Sequence, residues 1–422
     1  MLITEVLCVP VRSGFFADDQ AAIRAGAPHD GFSYAGAPLT PGFKAIRQAG
    51  EAVSVMLVLD DGQVAYGDCA AVQYSGVGGR DVLFDAAMAV ATIQRWVAPL
   101  LIGKEIQDFR SVASLVDGLE VEGHPLHTAI RYGVTQALLD AVARARGVTM
   151  AEVIRDEYET GIEIAPVPMF VQSGDDRYDN VDKMVLKGAD AMPHGLINQV
   201  ATKLGQDGEL LAEYLVWVRN RIIALRSRED YRPVLHFDVY GTIGAAFDGD
   251  VERVADYLAE LGRLARPFQL RVEHVIDAGS RDAQVTCSAA LRSALRARGS
   301  EVQIAVDEWC NTLADIELFV QAQSADMIHV KTPDLGGINN TIEALLLVTR
   351  NGLAAYCGGT CNETERSAQI SAHIAMACGA AQILAKPGMG VDEGMMIVGN
   401  EMARVSALVA ARDRAATATA GR

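Results

Sequence analysis

Basic side chains are scarce in this sequence. Against 54 Asp and Glu stand 37 Lys and Arg, a formal net charge of −17 over 422 residues. Such a surface repels phosphate backbones, so nucleic acid is excluded as the expected partner. Long apolar runs are missing too. The run at 344–349 falls far short of the ~20 residues needed to cross a bilayer, so no membrane partner is expected. Seven cysteines (Cys8, Cys69, Cys287, Cys310, Cys357, Cys361 and Cys378) are scattered without a CxxC pair, which argues against a zinc knuckle, and their odd number argues against a disulfide framework. The opening MLITEVLCVPVRSGFF lacks the basic start and long apolar stretch of a signal peptide. A reducing, cytoplasmic setting is therefore expected. No GxGxxG follows an early strand, which counts against a dinucleotide-binding doubly wound sheet.

What the chain does have is apolar material: half the residues are hydrophobic, though only 6% are aromatic. That suffices for a large core, and the length favours two domains. Residues 1–160 read as an α+β unit. ITEVLCVPV looks like an opening strand, and AVSVMLVL–Asp60-Asp61-Gly62–QVAYGD looks like a hairpin, since Asp-Gly suits its turn. Helices are expected around 81–100 and over LHTAIRYGVTQALLDAVARA, and Pro166 and Pro168 bracket a new strand. Over 161–400, short apolar runs alternate with helix-length segments: PMFVQ, MVLKG, PVLHFDVY, FQLRVEHV, VQIAVDE, MIHVKT, AAYCGG and QILAKP. Eight strands separated by helices indicate an α/β fold, a (β/α)8 TIM-like barrel. The Ala-rich stretch 401–422 reads as a final helix with a frayed tail.

Acidic residues end three consecutive strands of this pattern: Asp238 in LHFDVYG, Glu273 in RVEHV and Asp307 in IAVDEW, spaced 35 and 34 residues apart. Each interval is about one βα unit. Singly, each acid could be a helix cap or a surface charge. In phase with the repeat, all three meet at one barrel mouth, where their mutual repulsion calls for a hard divalent cation such as Mg²⁺. One strand further on, MIHVKTPDLGG supplies Lys331, where a lowered pKa would make it a base near neutral pH. Cation plus base suits removal of a proton next to a carboxylate, because the cation offsets the charge that develops.

The sequence resembles the methylaspartate ammonia-lyases of the enolase superfamily along nearly its whole length. The resemblance rests on DDQAAIRAGAPHDGFSYAG, GQVAYGDCAAVQYSGVGGRD, LHTAIRYGVTQALLDAVA, MAEVIRDEY, PHGLINQV and KTPDLGGINNT. It implies an enolase-like arrangement, with residues 1–160 as an N-terminal capping domain over the barrel mouth, and a homodimer. It also implies Mg²⁺ with K⁺ as activator, and elimination of ammonia from an amino dicarboxylate of the 3-methylaspartate type to give mesaconate. Under it, Asp238, Glu273 and Asp307 look like the metal ligands and Lys331 like the base for the C3 proton. His194, in MPHGLIN, looks like the base for the other C3 epimer. Gln73 and Gln172 resemble the amides that hold the substrate amine and far carboxylate, and Thr360 and Cys361 resemble further carboxylate contacts, through hydroxyl and backbone N–H. Phe170, Tyr356, Leu384 and Met389 match side-chain pocket residues. One position departs: the family usually has glutamine where this chain has His329, a substrate contact that is shorter and titratable. Substrate preference, rate and pH optimum are the properties this change would alter. The alternatives are a racemase or dehydratase of the same superfamily, or a binding protein on a barrel that has lost its chemistry.

Overall fold

The computed structural model describes residues 1–73, 76 and 80–420. Its N-terminal part is built on an antiparallel sheet of β1 (Ile3–Asp18), β2 (Arg47–Leu59) and β3 (Val64–Ala70) in that order. β2 and β3 form the expected hairpin. Gly62 takes φ 83° in its turn, a left-handed conformation that glycine adopts without steric cost. The chain is helical over 86–101, in three consecutive stretches.

Helix α1 (Thr128–Arg146) packs on β3 at backbone distance. A Cβ on Gly133 would collide with the Cys69 backbone, and one on Gly67 with the Gly133 carbonyl and Ala137 N. Residues 129 to 143 of α1 are buried almost throughout, apart from the half-buried Arg131. This explains why its apolar pattern covers most faces and not a single stripe.

The second part is a closed barrel of eight parallel strands, each paired with the next in sequence. They are β4 (Met169–Phe170), β5 (Ala191–His194), β6 (Val234–Asp238), β7 (Leu270–Glu273), β8 (Gln303–Val306), β9 (Met327–Val330), β10 (Ala354–Cys357) and β11 (Gln382–Leu384), with β11 closing on β4. Phe170, Ala191, Ala305, Met327, Tyr356 and Leu384 pack together as an inner cluster. Among the described residues, no helix is long and apolar enough to cross a membrane.

Three expectations are corrected. MVLKG is not a strand. It forms the end of helix α2 (Asp179–Lys187), which buries Val181, Met184 and Val185 at helical spacing and stops at Gly188, φ 73°. The second barrel strand is Ala191–His194 instead, a four-residue AMPH segment whose proline cannot donate to a ladder, so no apolar run announced it. Met169–Phe170 follows both Pro166 and Pro168, so the prolines precede the strand without bracketing it. The last helix, α3, spans Val391–Ala420 and starts well before 401; Gly421 and Arg422 of the expected tail lie outside the described residues.

The close approach of α1 to β3 gives a direct test. Gly133→Val should lower unfolding stability by about 3 kcal/mol, because the added methyls have nowhere to go. Thermal unfolding that matches the unsubstituted protein would show that this contact can yield.

Candidate active site

Barrel topology gathers the polar ends of the strands. Asp238 and Glu273 are the last residues of neighbouring strands and stand opposite each other in register, and Asp307 follows the last residue of β8. All three are buried and line one cavity at the C-terminal mouth, together with His194, His329 and Lys331. Glu273, Asp307 and His329 bring one ligand atom each within 4.8 Å of one another. At that separation two carboxylates repel by roughly 3–4 kcal/mol, taking an effective dielectric near 20. Burial pushes the Asp238 carboxyl above its usual range and the charges of Glu273 and Asp307 add to this, while a contact with His194 opposes it. Three hard oxygen donors that repel one another fit a divalent cation such as Mg²⁺.

Three imidazoles surround the acids. His329 Nδ1 lies 2.7 Å from Glu273 Oε1 and 3.2 Å from Asp307 Oδ1. Its Nε2 accepts from the Gly359 N–H at 3.2 Å, so a neutral ring carries its proton on Nδ1. His329 is thereby a hydrogen-bond donor to Glu273 and not a fourth ligand. His236 Nε2 lies 3.0 Å from Glu273 Oε2. Burial alone would raise the Glu273 carboxyl, but His329 and His236 hold it well below the usual carboxylate range. His194 Nε2 is 3.4 Å from Asp238 Oδ2, and its Nδ1 accepts from the Leu196 N–H at 3.3 Å.

Lys331 Nζ lies 2.8 Å from Asp307 Oδ1 and 3.6 Å from Glu308 Oε1. Burial lowers this ammonium, but Asp307 and Glu308 outweigh burial and hold it above the ordinary lysine range. The expected depressed lysine is therefore reversed by the carboxylates beside it. Arg80 backs the group, 3.0 Å from Glu308 Oε2 and 2.9 Å from Asp334 Oδ2.

The remaining wall comes from both parts of the chain. Gln73 reaches the cavity from the N-terminal unit, donating to Asp18 Oδ2 at 2.9 Å, while Asp18 is paired with Arg47 at 2.8 Å. Gln172, Tyr356, Thr360, Cys361, Leu384 and Met389 line the cavity as well. Phe170 does not; it lies beneath, stacked on His236 at 4.2 Å and nearly coplanar at 7°. In the loop after β10, the amides of Gly359, Thr360, Asn362 and Glu363 donate to His329, Glu363, Thr360 Oγ1 and Thr360 O. Among the hydrogen bonds of the described residues, none joins the Cys361 N–H to another residue. Burial pushes the Cys361 thiol up to about 12, which suits a packing group and not a nucleophile.

Reading by sequence missed Glu308, Arg80, Asp334, His236 and Asp18. Glu308 directly follows Asp307, so the DE pair was the available signal. His236 precedes Asp238 by two residues in LHFDVYG and Asp334 follows Lys331 by three in KTPDLGG, so both stood beside residues already picked out, while Arg80 and Asp18 come from the N-terminal part.

A model of the methylaspartate ammonia-lyase N-terminus matches residues 1–159, and one of the C-terminus matches 161–411. Methylaspartate ammonia-lyase of Clostridium tetanomorphum is 58% identical over 412 residues, 98% of this chain and 100% of that one. The crystal structure of β-methylaspartase from the same organism, a Mg complex, superposes with a TM-score of 0.95 at 58% identity, over 98% of this chain and 100% of the other. That of the Citrobacter amalonaticus enzyme containing (2S,3S)-3-methylaspartic acid superposes at 0.95 with 51% identity, covering 97% and 100%. With both halves matched and relatives of this identity spanning its length, the chain belongs to the methylaspartate ammonia-lyase family.

Proposed function

We propose that this protein is a carbon–nitrogen lyase that eliminates ammonia from 3-methylaspartate to give mesaconate, reversibly. The observation that carries this reading is the placement of Lys331 against Asp307 at the mouth that also holds Asp238 and Glu273. Likeness to the Clostridium and Citrobacter enzymes over the whole chain supports it. Those relatives favour the lyase over a racemase or dehydratase, and over a binding protein that has lost its chemistry.

Asp238, Glu273 and Asp307 are proposed to hold Mg²⁺. Bound Mg²⁺ would supply positive charge that offsets both the field of Asp307 on Lys331 and the charge gathering on the substrate C4 carboxylate as the C3–H bond breaks. Lys331 takes the C3 proton, the electron pair of that bond forms the C2–C3 double bond, and ammonia leaves C2 with the electrons of the C–N bond. Gln73 and Gln172 orient the amine and the far carboxylate, which Thr360 also meets through its hydroxyl and Cys361 through its N–H. His329 donates to Glu273 beside the substrate, the position from which it would shift preference among substrates. Phe170, Tyr356, Leu384 and Met389 shape the space for the C3 substituent, Phe170 from below. His194 faces the cavity from the far side and serves the opposite C3 epimer. In the neutral ring this base role and the contact with Leu196 N–H exclude each other, so the contact must release. The proposal includes K⁺ as activator, a homodimer, a cytoplasmic setting and residues 1–160 as the cap that closes the site through Gln73.

Replacing Lys331 with alanine should cut kcat for (2S,3S)-3-methylaspartate by about 10²–10⁴-fold, followed as alkene absorbance and released ammonia. Undiminished release would remove Lys331 as the base. EDTA should abolish the reaction and Mg²⁺ restore it; full activity in chelator would remove the metal from the mechanism. His194→Ala should impair the C3 epimer more than the (2S,3S) substrate, whereas equal losses on both would contradict a base on each face.

A further inference from the structure

Beside the cavity but not lining it, a lysine and a glutamate are sealed from water. Lys386, just past β11, and Glu363, in the loop after β10, each have no exposed side-chain surface. A charged pair in such a place is expensive unless every polar atom is satisfied, and here the satisfaction is complete and directional. Lys386 Nζ donates to Glu363 Oε2 at 2.7 Å and Oε1 at 2.9 Å, to Thr332 Oγ1 at 3.0 Å and to the Gly358 carbonyl at 2.7 Å. Glu363 Oε2 accepts the Thr360 N–H at 2.9 Å, and Oε1 accepts Thr332 Oγ1 at 3.2 Å and the Tyr132 hydroxyl.

These partners come from three places. Thr332 follows Lys331, Gly358 and Thr360 belong to the loop that presents the Cys361 N–H, and Tyr132 stands on α1 of the N-terminal part. The cluster has no room for a side chain at position 359: a Cβ there would fall on Glu363 Oε2 and Lys386 Nζ, and Gly359 takes φ 139°, which few other residues adopt.

We propose that Lys386 and Glu363 are positioning residues. Resting on the lyase reading above, they set the distance between the proton-accepting Lys331 and the 358–361 loop that takes the far carboxylate, and Tyr132 ties that spacing to the N-terminal cap. A bidentate, fully buried pair is stiff, and a displacement of about 1 Å in such a frame is enough to matter for reactivity. Neither residue touches substrate, so their effect travels through Thr332, Gly358 and Thr360.

The test uses the full chain in three forms: Glu363→Gln, which keeps volume and an acceptor; Tyr132→Phe, which keeps both charges and the packing; and Lys386→Met. Lys386→Met strands a buried carboxylate and is the variant at risk of not folding; the other two carry the test without it. Hydrogen exchange followed by mass spectrometry, without substrate, is read on peptides covering 329–334 and 358–363, with steady-state kinetics alongside. The expected result is faster exchange confined to those two segments and kcat for 3-methylaspartate lowered about tenfold or more, as a misplaced base requires, with KM within about threefold. Unchanged exchange in both segments, acceleration spread evenly over the barrel, or wild-type kcat would overturn the proposal. Because exchange needs no substrate, a wild-type protein that released no ammonia would refute the lyase reading and leave this test intact.

Discussion

Three buried carboxylates that repel one another govern this molecule. A barrel mouth that places Asp238, Glu273 and Asp307 on successive strands concentrates negative charge where water is largely excluded. Every neighbour answers that charge. Lys331 lies on Asp307, His329 and His236 reach opposite oxygens of Glu273, and His194 faces Asp238. A second tier follows: Arg80 steadies Glu308 and Asp334 behind Lys331. His236 takes a hydrogen bond from Gln382, whose carbonyl accepts from the buried Arg271. A site of this sign recruits cations and fixes the orientation of every donor around it.

The rest of the fold keeps this arrangement in place. Parallel strands in sequence order give each βα unit one chance to place a side chain at the mouth, so one chemistry-bearing residue per unit is the natural outcome. The N-terminal part closes the remaining side. α1 lies against β3 at glycine contact, β3 leads to Gln73, and Tyr132 on the same helix reaches Glu363. The N-terminal part is therefore bonded to the loop that follows β10, through Tyr132 and Glu363.

How much of this could be read from sequence depends on whether a residue's role is local. Asp238, Glu273, Asp307 and Lys331 end apolar strands one repeat apart, so period and position sufficed. The hairpin at Gly62 announced itself through turn chemistry. By contrast, MVLKG is short and apolar, and strand and helix compete for such a run until Val181 before it and its own final Gly188 decide it. AMPH carries no strand pattern and is held by its place in the barrel alone. Lys331 was expected to be depressed; its ammonium is instead held up by Asp307 and Glu308, whose approach to it only the assembled barrel shows. The Lys386–Glu363 pair follows the same strand-end logic as Lys331, but two opposite charges from separate loops show their partnership only when assembled.

Calorimetric titration of Mg²⁺ into the protein, unsubstituted and as Glu273→Gln, tests the carboxylate cluster most directly. One ion per chain should bind, and the substitution should weaken it by at least about 100-fold, since a carboxylate lost from the cluster costs at least as much as an outer partner does. Absent binding in the unsubstituted protein, or equal affinity in both, would contradict it.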